Sequence, residues 1–195
     1  MKVMIFCCLL TLSLGVRGQD NPKPEFLPGP ASWQFERFPL PPVFSAGFPY
    51  KGVEELRFAP GMFKKDSADY FSYAFVARLD NAGTFGSDDV KNYLLIYFKG
   101  LCASTATQRK LSVDTTKINV SVAAGAGGAA AYDAVLNVFG VFADGAPVTL
   151  NAEIRVLPDG KGRTYLVFIA SPQGKTHAIW QELYAIQKGF SVSAN

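Results

Sequence analysis

The 195-residue chain carries only three cysteines and one histidine. Two of the cysteines, Cys7 and Cys8, lie ahead of Gly18, so a chain processed there keeps Cys102 alone and forms no internal disulfide. A single histidine, His177, is too few for a His-rich metal site, and no CxxC or HExxH spacing occurs. There is no basic run, which argues against the electrostatic footprint of a nucleic-acid binder. There is no GxSxG, no glycine-rich dinucleotide fingerprint and no Walker sequence, and hence no cofactor signature. Beyond Val16 no apolar run approaches the ~20 residues that a helix needs to span a membrane.

The opening segment, MKVMIFCCLLTLSLGVRGQD, has the build of a secretory signal. Lys2 supplies the positive start, Val3–Val16 the apolar stretch, and Val16-Arg17-Gly18 a small-residue cleavage site. Cleavage is expected after Gly18, with an uncleaved anchor as the alternative. Taking Lys2 and Arg17 from the 19 basic residues leaves 17 against 16 acidic, a net charge of +1. An exported domain without disulfides is stabilised by its core alone, which fits a bacterial periplasmic or secreted protein better than a disulfide-dense extracellular module. The expected organisation is a signal over residues 1–18, a proline-rich extended arm over 19–50, and one domain over 51–195.

Eight of the twelve prolines fall between Asp20 and Tyr50, which excludes helix and central strand there. Trp33, Phe35, Phe38, Phe44, Phe48 and Tyr50 alternate with them. A free linker would not expose so much aromatic surface, so the arm is expected to lie on the folded body. The alternative is a segment that enters a partner's aromatic groove. Val53–Ala59 and Tyr70–Leu79 have strand composition, and the second is apolar on both alternating faces, as in a sheet covered twice. In the first strand, the adjacent Glu54 and Glu55 point to opposite faces.

Val90, Tyr93, Leu94, Tyr97, Phe98, Leu101 and Cys102 make one apolar stripe, which predicts a helix over Asp88–Ala103 with Ser87 as its cap. Cys102 on that stripe has the place of a small buried hydrophobe; a Cys102–His177 dyad would require two helices to meet. Ile118–Ala123 is a further strand, followed by a Gly/Ala segment lacking the features of a phosphate loop. Tyr132–Pro172 then forms a meander of three strands with an Asp-Gly in each turn, Asp144-Gly145 and Asp159-Gly160. A second helix is expected over Thr176–Lys188. The fold class is therefore α+β: a mostly antiparallel twisted sheet in the order β-β-α-β-β-β-β-α, two helices packed on it, and the arm in front. That order resembles antiparallel folds such as the Mog1/PsbP-like sandwich and the helix-grip ligand carriers, a likeness that implies architecture and carries no function.

The middle strand of the meander alternates Val148, Leu150, Ala152, Ile154 and Val156 with Thr149, Asn151, Glu153 and Arg155. The polar side is either an open face with ordinary cross-strand pairs or a concave surface where Asn137, Asn151, Glu153 and Arg155 line a ligand pocket. Three functions follow from these features. The first is an exported, non-enzymatic domain that binds another protein or the cell envelope. The second is a carrier of a small apolar ligand in a cavity between sheet and helices. The third is an enzyme, which would need Asp133 and Glu153 within reach of each other across strands.

Overall fold

The computed structural model describes residues 23–191, apart from Asn81, Thr84 and Ala129. The expected signal lies outside the described residues. Seven strands, β1 (Gln34–Leu40), β2 (Lys51–Phe58), β3 (Tyr73–Asp80), β4 (Asn119–Ala124), β5 (Ala131–Phe139), β6 (Pro147–Pro158) and β7 (Arg163–Ser171), form one sheet. Its order is β1-β2-β3-β7-β6-β5-β4, and every pairing is antiparallel. Helix α1 (Ser87–Arg109) packs on one face and α2 (Ile179–Gly189) on the other. No helix among the described residues is long and apolar enough to cross a membrane.

Strand β3 is apolar on both sides because both sides are covered. Phe75, Ala77 and Leu79 turn toward α1, Ala74 and Val76 toward α2, and all five are 0% exposed. The strand begins at Tyr73 and not at Tyr70. Phe71 adopts a φ of 50°, and its amide hydrogen bonds back to the Met62 carbonyl at 3.0 Å, so the chain is still turning there.

The arm contains an additional strand. β1 is the outermost strand, beside β2, where Pro39 costs the sheet little. The rest of the arm covers the body, with Phe26, Leu27, Trp33 and Phe48 buried.

Helix α1 runs six residues beyond the expected Ala103. It closes through Lys110 in the left-handed conformation (φ 58°), with Leu111 N–H donating to Ala106 O at 2.9 Å and Lys110 N–H to Thr107 O at 3.3 Å. This is the usual glycine-type stop made by a lysine, so no glycine marks it. At the other end Ser87 is already helical, and Asp89 accepts the Gly86 amide at 2.9 Å. α2 starts three residues after Thr176, where His177 Nδ1 accepts the Ile179 amide at 3.2 Å. Both Asp-Gly pairs lie in turns, with Gly145 and Gly160 at φ of 76° and 72°. The mid-meander Gly140 ends β5, and a Cβ there would sit 2.5 Å from the Tyr70 hydroxyl.

Candidate functional site

The residues singled out on β5 and β6 divide between two environments. Asn137 belongs to a ladder across the sheet: Thr149 Oγ1 donates to Asn137 Oδ1 at 2.8 Å, and Asn137 Nδ2 to Asn119 Oδ1 at 2.9 Å. Asn151 donates to the Gln173 carbonyl at 3.2 Å. Glu153 stands opposite Asp133, and Lys175 Nζ sits between them, 2.7 Å from Glu153 and 2.6 Å from Asp133. Burial works against the Lys175 ammonium, but these two carboxylates outweigh it and raise its pKa. Tyr184 of α2 also donates to Glu153 at 2.8 Å. Burial and that carboxylate push the phenol up to about 12. Glu153 thus pairs with α2 and its leading loop, and Arg155 does not pair with it. Arg155 is exposed and shares with Glu153, Lys175 and Gln187 a hollow of about 140 Å³ beside the Gly125–Gly127 loop.

A larger hollow lies on the other face, between α1 and the β1–β3 end of the sheet, with a volume of about 180 Å³. Strand alternation builds its floor. Glu36 and Phe38 of β1, Leu56 and Phe58 of β2 and Tyr73 of β3 all project toward α1, whose Tyr97 and Leu101 form the roof. Phe38, Phe44 and Tyr97 meet edge to face, at 6.2 and 5.0 Å between successive centroids. Val43, 80% exposed, lies at the mouth.

Glu36 is the acidic side chain lining this cavity, and among the described residues no hydrogen bond or ion pair engages it. Burial raises its pKa to about 7. Its neighbour Arg37 turns to the opposite face, where it pairs with Glu25 and, at 3.0 Å, with Glu55. The Tyr73 hydroxyl is buried beneath the floor and has no hydrogen-bond partner among the described residues.

Behind Tyr97 lies Glu54, 0% exposed, which accepts the Tyr97 hydroxyl at 2.7 Å and the Tyr93 hydroxyl at 3.0 Å. Burial is the dominant influence and raises its pKa to about 8; the two tyrosines oppose this and the nearby Glu36 adds to it. At neutral pH this carboxyl is mostly protonated. Burial likewise holds the phenols of Tyr73, Tyr93 and Tyr97 well above their ordinary value.

The Glu54/Glu55 pair divides between the faces as strand geometry requires. Glu55 Oε2 accepts the amides of Phe26 (2.9 Å) and Leu27 (3.0 Å), and its Oε1 that of Glu25 (2.8 Å). This carboxylate latches the N-terminal segment to β2.

Cys102 is fully buried under α1, and burial raises its thiol pKa to about 11. His177 leads into the helix on the opposite face, so the two do not form a dyad. The sequence pattern does not single out Glu36, because it lies in the proline-rich stretch that reads as an extended arm. The usable signal was a lone carboxylate alternating with aromatics, Glu36-Arg37-Phe38, once that stretch is placed in a sheet. No protein-family model, curated protein or solved structure matches the chain.

Proposed function

We propose that the protein is an exported, non-enzymatic binding protein that encloses a small, largely apolar molecule between its sheet and α1. The observation that carries this reading is the cavity itself. Protein interiors are close-packed. A hollow of about 180 Å³ leaves its aromatic and aliphatic lining without the partner atoms that a packed interior supplies. A ligand that fills it restores those contacts. The aromatic lining and the exposed Val43 at the mouth suit an apolar body entering from solvent.

Native mass spectrometry of the gently purified protein should show an added small-molecule mass. A panel of small aromatic and alkyl compounds should raise the melting temperature, by linkage worth about 2.7 kcal/mol at a hundredfold excess over Kd. Leu101→Trp, which fills the roof, should abolish both effects. A bare chain that no compound stabilises would remove the reading.

A further inference from the structure

We propose that the occupant is a small organic cation, an amine or quaternary ammonium on an apolar body, with its charge against Glu36 and the rings of Phe38 and Phe44. This rests on the cavity reading above and specifies the ligand's chemistry.

The cavity has a sign. Two charged residue types line it, Glu36 and Arg37, and the Arg37 guanidinium is committed on the far side of the sheet to Glu25 and Glu55. What faces the hollow is therefore one carboxyl with no partner, in a lining that is otherwise apolar or hydroxyl-bearing. An unpaired carboxylate in apolar surroundings is unfavourable, and the group that relieves it is a cation. An anionic guest, such as a fatty acid, would meet Glu36 with the wrong charge. A neutral guest would offer it at most a hydrogen bond and no opposite charge.

Two half-buried rings reinforce the same sign. Phe38 and Phe44 line the hollow beside Glu36, edge to face with each other. Aromatic faces attract ammonium groups, and more so where water is excluded. The volume of about 180 Å³ is below the ~300–1,000 Å³ of drug-sized sites, so the guest is compact.

Benzylamine, benzyl alcohol and benzoate share one ring and differ in the charge of one group, which makes them suitable probes. Isothermal titration calorimetry of the full chain near pH 8 should show benzylamine binding at least about tenfold tighter than benzyl alcohol, or about 1.4 kcal/mol, and no detectable benzoate binding. Glu36→Gln should erase the preference for the amine. If benzyl alcohol or benzoate binds the wild type as tightly as benzylamine, the charge assignment is overturned and the cavity reading stands. If none of the three binds, both fall. The wild-type series decides the question even where the variant folds poorly.

Discussion

Replacing Glu54 with glutamine keeps the side chain's shape and its ability to bond both tyrosine hydroxyls, and removes its ionisation. In the folded protein this carboxyl titrates near 8, against 4.5 for an unperturbed one. Between those values the folded state binds a proton that the unfolded chain has released. Stability therefore falls as pH rises through the interval, and below it both states are protonated and nothing is lost. A gap of about 3.5 units at ~1.4 kcal/mol per unit gives a decline on the order of 4–5 kcal/mol. Glu54 is fully buried, so solvent does not screen this effect. Glu36, raised to about 7, contributes a smaller decline of the same sign that persists in the variant. The lowered carboxyls of Asp69, Asp114, Asp144 and Asp159 lose their contribution only as pH falls below the ordinary aspartate range, outside this interval. Urea denaturation near pH 5, 6.5 and 8 measures the slope directly. The wild type should lose several kcal/mol across that range. The Glu54→Gln protein should lose markedly less and be the more stable of the two at the alkaline end. Parallel curves would refute the claim that the fold keeps Glu54 protonated.

Two further outcomes follow from the N-terminal region. Glu55→Ala removes the acceptor for three backbone amides and for Arg37, and should cost about 3–5 kcal/mol, as expected when one partner of a buried charged network is lost. Limited proteolysis should then cut within residues 23–33 well before the core, and an unchanged digestion pattern would contradict the latch. If the first residues are a signal, the exported chain should begin at Gln19 on N-terminal sequencing; a chain still starting at Met1 would argue for an anchor instead.

The architecture was legible where periodicity was long and the covering symmetrical. β3 and β7 declared themselves by apolar residues on both faces, and β6 by strict alternation, so the antiparallel α+β class followed. β1 was hidden by composition. A segment holding eight of twelve prolines reads as extended arm, yet one proline-tolerant edge position is enough to admit a strand. The length of α1 was hidden by chemistry, because Ser104, Thr105 and Thr107 look like loop while Ala106 is buried and Lys110 makes the turn. The polar side of β6 was visible as a pattern, but its partners were not. Lys175 and Tyr184 reach Glu153 from the following loop and helix, a contact that only tertiary structure brings about. The cavity was illegible for the same reason, since its acidic residue sits on the strand that the prolines concealed.

The second face of the sheet is closed by both ends of the chain together. Phe26, Leu27 and Trp33 come from the beginning, and Ile179, Trp180, Leu183 and Ile186 from the end. Trp33 Nε1 donates to Glu182 Oε2 at 3.0 Å, and Tyr165 takes Phe26 and Phe190 at 5.6 Å each. A polypeptide is made from its N-terminus, so the earliest of these pieces must wait for the latest. While α1 can settle on its face as soon as β7 is made, the opposite side is a seam that stays open until α2 has followed. Damage to the 26–33 segment or to α2 undoes the same seam.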